Sequence, residues 1–387
     1  MSGRLLLSLL PGEERVLRVD EEGQLQWIRI LRGDRPGAGG DLVLGRVMTL
    51  DPGLNAAFVE IGLERPGLLP LKRKRQALRE GQAVVVRLSR APSEEKGARL
   101  SLLPEHPIPP DAAPPRLLAS GDDPFETLRA EAAPPEEIVI DDLATYTRAR
   151  QTLKDRADLL AALRLHAGPG PLLDEGLQAE ILQLLQPLVP LPGGGNLLIE
   201  PVRTLTAIDV NAGRHKGSGA GRALEVNLEA AHALARQLRL RDLSGRILID
   251  FLEMEGRRQR EQLAAFLKEE LAEDPEAVQL LPPRGQLFEL TRRRRRPPLH
   301  ELLARRCGLG GSGWERDPTA LAYELLRQVA GLPATAKVQL LLAREVEAAL
   351  LGPAAAARAA VEARRGSKLA WQAEAGRHPD ESEIVLG

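Results

Sequence analysis

Two short apolar runs, residues 204–209 and 246–250, each end in an aspartate, and between them lies an apolar-striped stretch at residues 224–240. The stripe through Leu228, Ala231, Ala235 and Leu238 has the spacing of a helix face, so the order strand, helix, strand predicts an α/β core. Strand ends in open α/β sheets border the crevices where active sites form. If the two strands are neighbours, Asp209 and Asp250 converge there as a pair of hard oxygen ligands, and Mg²⁺ takes one or two carboxylates from a protein while keeping several waters. Asn211, two residues beyond Asp209, points to the same side and can orient a carboxylate or a metal-bound water. Mg²⁺ in such a place stabilises charge on a scissile phosphate and helps make a hydroxide nucleophile from water. The alternative is that each aspartate merely caps the following helix or turn.

The remaining pattern divides the chain. Alternation between Val16 and Ile30 around Glu21, Glu22 and Gly23 predicts a hairpin. Residues 42–50, 56–61, 67–70 and 83–88 read as short, closely spaced strands, the pattern of a small closed barrel of the OB kind. Residues 104–135, rich in Pro, Ala and Asp with little periodicity, read as a linker. Beyond it, a buried strand is predicted over 137–141, helices over 143–163 and 177–188, a strand over 196–200, a helix over 257–271 and a strand over 287–291. Helix, strand and helix at 321–330, 337–342 and 343–351 suggest a small terminal α/β domain.

With 387 residues the chain is too long for one ordinary core. Lys plus Arg is 53 and Asp plus Glu is 54, so no global positive field marks a nucleic-acid binder and any basic footprint is local. The candidate is Arg292, Arg293, Arg294, Arg295 and Arg296, whose adjacent guanidiniums repel one another and suit a phosphate backbone; the alternative is a solvated face. Lys72, Arg73, Lys74 and Arg75 form a weaker patch. The apolar run at residues 5–10 is too short for a convincing secretory signal, and no run approaches the ~18 apolar residues of a membrane span. Cys307 is the single cysteine, so neither a disulfide framework nor an all-cysteine zinc site can form within one chain, and the cytoplasm is the expected location. The glycine-rich stretch at 217–221 lacks the GxxxxGK[ST] pattern and reads as a mobile loop; His215 beside it reads as a phosphate contact or a surface residue.

Thr204-Leu205-Thr206-Ala207-Ile208-Asp209-Val210-Asn211, then Val226-Asn227-Leu228-Glu229-Ala230-Ala231, Ala235-Arg236-Gln237-Leu238-Arg239-Leu240-Arg241-Asp242-Leu243, Gly245 and Ile249-Asp250-Phe251 closely resemble the catalytic core of the ribonuclease E/G family. The resemblance implies that Asp209 and Asp250 bind a catalytic Mg²⁺, most simply one ion, with Asn211 in support. Gly45-Arg46-Val47, residues 55–65 and Lys96-Gly97-Ala98-Arg99-Leu100 are similar to the family's inserted RNA-binding OB domain. There Phe58 would stack on a base and Lys96 contact the backbone, with Leu68 where a second aromatic is common. The implied architecture is α+β with several subdomains: an RNase H-like subdomain in two pieces (1–33 and 134–190), the barrel (34–103), a Pro-rich linker (104–133), a DNase I-like α/β catalytic subdomain (191–305), a degenerate zinc-link segment (306–317) and a small C-terminal domain (318–387).

Two departures from the family bear on function. The linker is shorter than the ~40 residues of a free-standing fold and lacks the family's Arg-Thr-Ala-Gly phosphate-binding segment, so cleavage is expected to ignore the RNA 5′ end. The family's Cys-x-x-Cys link is reduced to Cys307, so no zinc is expected, a zinc-linked dimer is not expected, and a monomer is plausible. The sequence therefore points to a Mg²⁺-dependent endoribonuclease cutting single-stranded RNA by hydrolysis in RNA processing or decay, with Phe58, Lys96, Arg292, Arg293 and Arg294 gripping RNA. The alternative is a non-catalytic RNA-binding protein on the same fold, which would have no need of two carboxylates facing a polyanion.

Overall fold

A computed structural model describes residues 3–32, 37–71, 78–92, 96–121, 123–130, 134–168, 170–213, 221–306 and 314–387. The chain forms two compact units, each assembled from separate stretches.

One unit joins Met1–Arg35, Asp122–Leu185 and Leu299–Gly387. Its five-stranded sheet runs in the order Leu163–Leu165, Glu137–Ile140, Arg4–Leu10, Glu13–Val19, Leu25–Leu31. The first three strands are parallel and the last three form antiparallel pairs, so the expected hairpin is present and the apolar run at 5–10 is the sheet's central strand. Of the unit's smaller sheets, one is the pair Ala304–Arg306 and Trp314–Arg316, and the other, Ala370–Glu374, Val338–Ala343 and Glu383–Leu386, is packed by the helices Pro318–Gly331, Arg344–Leu351 and Ala355–Arg365.

The helix expected over 177–188 runs Glu175–Gln183 instead, and two further expectations fail. The long helix expected over 143–163 is two helices, Leu143–Thr152 and Ala157–Ala162, followed by a strand. Arg156, at the break, sends its guanidinium to the Arg129 carbonyl at 2.7 Å, a tertiary contact that local periodicity does not encode. The stretch read as a linker is also partly ordered: Arg116–Ala119 is a strand on the barrel and Pro124–Ala130 a helix. That helix buries Phe125 and Leu128, each burial contributing about 1.5–3 kcal/mol.

The second unit joins Pro36–Gly121 and Gln186–Pro298. Its first part is a closed five-stranded barrel. Leu42–Asp51 pairs with Ala56–Glu60, then follow Gly67–Pro70, Arg99–Leu102 and Ala83–Arg90, which returns to Leu42–Asp51. Closure needs Gly45, because a Cβ there would lie 2.6 Å from Val59 Cγ1 and 2.8 Å from the Glu60 carbonyl. Its second part is a six-stranded sheet in the order Leu188–Pro190, Asn196–Pro201, Thr206–Asn211, Gly245–Asp250, Leu287–Arg292, Val278–Leu280. Only the central pair is parallel, joined by the helix Arg222–Leu240 as the strand, helix, strand pattern requires. That helix and Gly256–Glu270 cover one face, and Phe251 meets Phe288 edge-on at 4.9 Å in the core between. The result is a mixed α+β chain containing a closed, OB-like barrel. No helix among the described residues is long and apolar enough to cross a membrane.

Candidate active site

The two aspartates come together. Thr206–Asn211 and Gly245–Asp250 run parallel in a register that sets Asp209 directly against Asp250. Neighbouring strands lie about 4.8 Å apart, so the two carboxylates start from adjacent positions on one sheet face. Side chains alternate: Ile208, Val210, Ile247 and Ile249 are buried against the helices, while Asp209, Asn211 and Asp250 are exposed on the opposite face. Neither aspartate is a helix cap; the helix Arg222–Leu240 starts eleven positions after Asn211 and is capped by Gly221.

Asn211 donates from Nδ2 to Asp209 Oδ2 at 2.8 Å, which orients that carboxylate. Leu198 and Leu287 stand in register on either side of the acidic pair, so the row across the sheet is apolar, acidic, acidic, apolar. On the same face Arg246 pairs with Glu289 at 3.1 Å. Among the described residues no cluster of three or more His, Cys, Asp or Glu is gathered as a metal cage. Two carboxylates plus retained water is a donor set that fits Mg²⁺ and fits a closed zinc cage poorly.

Two supporting residues escaped the sequence reading. Asn227, fully buried in the Arg222–Leu240 helix, donates from Nδ2 to the Leu252 carbonyl at 2.9 Å and accepts from the Leu252 N–H at 3.0 Å, fixing the chain just past Asp250. Glu229, two residues on, accepts from the Gly193 N–H at 2.9 Å and holds the turn entering the neighbouring strand. A polar residue on an otherwise apolar helix face was the available signal for Asn227.

The arginine run departs from expectation. Arg292 is a buried residue, bonded to Asp242 at 2.7 Å and Asp274 at 2.9 Å. Burial alone would lower its pKa, but the Asp274 hydrogen bond and the Asp242 charge more than reverse that. Arg296 shares Asp242 at 2.7 Å. Arg294 donates to the Pro92 carbonyl at 2.7 Å and Arg295 to the Gly121 carbonyl at 3.1 Å, joining sheet to barrel. Arg292 is therefore a core ion-pair residue and no RNA contact, Arg294 is engaged in the joint, and Arg293 is the exposed member of the run.

On the barrel, Ala57 and Val59 are buried inside, so half-buried Phe58 between them faces out, paired in register with Leu68, which adjoins exposed Arg99. Lys96 is exposed close by in sequence. Lys72, Arg73, Lys74, Arg75, His215 and Cys307 lie outside the described residues, as does the glycine-rich stretch up to Ala220.

The family model described as "Ribonuclease E/G family" matches residues 111–295, the stretch that holds both aspartate strands. Ribonuclease E of Escherichia coli is 28% identical over 84% of this chain and 40% of its own length. Ribonuclease G of Salmonella typhimurium is 26% identical over 85% of this chain and 88% of its own. Ribonuclease E of Nostoc sp. is 29% identical over 79% of this chain and 58% of its own. The chain thus spans less than half of the Escherichia coli ribonuclease E and most of ribonuclease G. The paired aspartate strands, the family model laid across them and relatives of both kinds point the same way: the chain is similar to the ribonuclease E/G family over most of its length.

Proposed function

We propose that this protein is an endoribonuclease that hydrolyses single-stranded RNA in RNA processing or decay, using Mg²⁺ held by Asp209 and Asp250. The observation that carries the reading is the in-register pairing of these two exposed carboxylates on an open sheet face, in a chain whose relatives are ribonucleases E and G. When bound, Mg²⁺ supplies charge stabilisation at the scissile phosphate and a water of lowered pKa. Asn211 keeps the Asp209 carboxylate turned toward the site through its 2.8 Å hydrogen bond. Asn227 fixes the backbone beyond Asp250, so that the second carboxylate keeps its place when a polyanion approaches. Leu198 and Leu287 flank the pair and limit water at its sides.

Single-stranded RNA is recognised by stacking and by backbone charge. Phe58 offers its ring on the outside of the barrel, and Lys96, Arg99 and Arg293 are among the exposed cations of the same unit. In family terms the catalytic sheet is the DNase I-like subdomain and the five-stranded sheet of the first unit the RNase H-like one. Cleavage is independent of the 5′ end, because residues 104–133 carry no Arg-Thr-Ala-Gly segment and contribute instead a barrel strand and a short helix. No zinc takes part, and the protein acts in the cytoplasm.

The test is internal cleavage of an A/U-rich single-stranded RNA carrying either a 5′-monophosphate or a 5′-hydroxyl, with wild type, Asp209→Asn and Asp250→Asn. The reading expects Mg²⁺-dependent cuts, equal on both substrates and lost in either variant. Tight RNA binding without cutting by the wild type would remove the catalytic reading.

A further inference from the structure

Away from the aspartate pair, the first unit contains a cavity of about 500 Å³, within the size range of small-ligand pockets. It opens at the carboxyl ends of three parallel strands: Ser8 lies near the end of Arg4–Leu10, Asp141 directly follows Glu137–Ile140, and His166 directly follows Leu163–Leu165. The crevice outside strand carboxyl ends is where α/β sheets bind ligands. The facing wall carries Arg327, from the helix Pro318–Gly331, and Arg364, from the last turn of Ala355–Arg365.

Guanidiniums are crowded beside this cavity. Glu13, fully buried, is the one carboxylate shared by Arg15 at 2.8 Å, Arg32 at 3.0 Å and Arg327 at 3.4 Å. Among the described residues, each of these guanidiniums keeps a buried nitrogen with no hydrogen-bond partner: Nη2 of Arg15, Nη2 of Arg32 and Nε of Arg327. Asp317, 3.9 Å from Arg32, and the carboxyls of Glu14 and Asp141 near Arg327 add counter-charge without bonding these three nitrogens. Arg327 is 5% exposed; it donates to the Ser8 hydroxyl at 2.8 Å and the Glu13 carbonyl at 2.7 Å. Burial and the neighbouring Arg15 bring its pKa down to about 10.

The carboxyl lining the cavity is Asp141, which burial pushes toward its neutral form although the Leu9 N–H and the Ser8 hydroxyl both bond to it. Arg364 is half-exposed and bonds Asp142 at 3.1 Å. His166 Nε2 lies 3.0 Å from the Gly170 carbonyl and so carries its proton there, leaving Nδ1 uncommitted to that contact. Buried cations short of partners are costly, and an anion is the group that relieves them. Pro171, Leu172, Leu332 and Pro333 supply an apolar remainder to the lining.

We propose that this cavity binds a small phosphate-bearing molecule of nucleotide size, with its phosphate between Arg327 and Arg364 and its apolar part against Leu172, Leu332 and Pro333. The site shares no residue with the Asp209–Asp250 pair and stands whether or not that pair cuts RNA.

The test uses the full chain carrying Asp209→Asn and Asp250→Asn, in EDTA, so that nucleotide held at the metal pair does not contribute. Calorimetry and thermal unfolding are read with AMP, inorganic phosphate and adenosine. AMP and phosphate are expected to bind and to raise the unfolding temperature with the logarithm of concentration, while adenosine does neither. Arg364→Ala, at the half-exposed rim where folding is not at stake, is expected to weaken AMP about tenfold or more, the loss of one charge-assisted contact. Ala330→Trp, which fills the cavity from the lining helix, is expected to abolish it. No binding of either anion, equal binding of adenosine, or AMP binding indifferent to Arg364→Ala would each overturn the assignment.

Discussion

The amide of Asn227 and the backbone of Leu252, 25 residues apart in the chain, hold each other by two hydrogen bonds of 2.9 and 3.0 Å. Because Leu252 follows Asp250 by two residues, the helix Arg222–Leu240 bears on where one carboxylate sits. Asn227→Ala leaves a buried N–H and a buried carbonyl unpaired, a loss of about 1–3 kcal/mol in denaturant unfolding. RNA cleavage should fall further than that stability loss explains, with Asn227→Asp, which keeps only the acceptor, in between. An Asn227→Ala protein that is destabilised yet cleaves at the wild-type rate would show that the carboxylate does not depend on this clamp.

The arginine run should separate into two behaviours. Arg292→Ala strands Asp274 in the interior, leaves Asp242 to Arg296 and should cost about 3–5 kcal/mol of stability, the usual result of breaking a buried ion pair from one side. Arg293→Ala should leave unfolding unchanged and lower the slope of log affinity against log salt by about 0.7, one phosphate contact on a single strand. Unfolding curves and RNA titrations at several salt concentrations decide it; a stable Arg292→Ala protein with a lowered salt slope would reverse the assignment.

Phe58 is half-buried between two core residues, so its ring is available without being structural. Phe58→Ala should weaken RNA binding by about 1–3 kcal/mol, the value of one base stacked on an aromatic. Unfolding should change little. Equal affinity in the variant would take Phe58 out of the RNA surface.

Acid should expose the Glu13 cluster. Burial pushes the Glu13 carboxyl up, but the guanidiniums of Arg15, Arg32 and Arg327 outweigh it and bring it from 4.5 down to about 2. A carboxyl lowered in the folded state contributes stability that is present above its unfolded value and lost as pH falls toward the folded one. Between about pH 4.5 and pH 2, wild type should therefore lose stability more steeply than Glu13→Gln, which has nothing to protonate there and starts from a lower plateau. Parallel curves across that window would mean that Glu13 is not the group responsible.

Much of this molecule is legible in sequence where local pattern and tertiary role agree. Ile208, Val210, Ile247 and Ile249 alternate with Asp209, Asn211 and Asp250, and that alternation alone places the acids on the open face. The barrel strands announce themselves through turns such as Asp51-Pro52-Gly53. Illegible were features whose partners lie far along the chain. Arg292 looks like part of a solvated cationic block until Asp242 and Asp274 appear beside it. Residues 116–119 pair through backbone with Leu42–Asp51, an interaction that leaves no periodicity to read. Phe125 and Leu128 are too few to mark a helix, and their burial depends on a sheet formed by residues at the start of the chain.

The joint between barrel and catalytic sheet has an evolutionary corollary. Arg294 and Arg295 grip the main-chain carbonyls of Pro92 and Gly121, and the Gly39 N–H returns a bond to the Arg295 carbonyl at 2.5 Å. None of these contacts reads a barrel side chain. Because these bonds are made to main chain, mutation can rewrite the barrel's outer surface while they still hold barrel and sheet together.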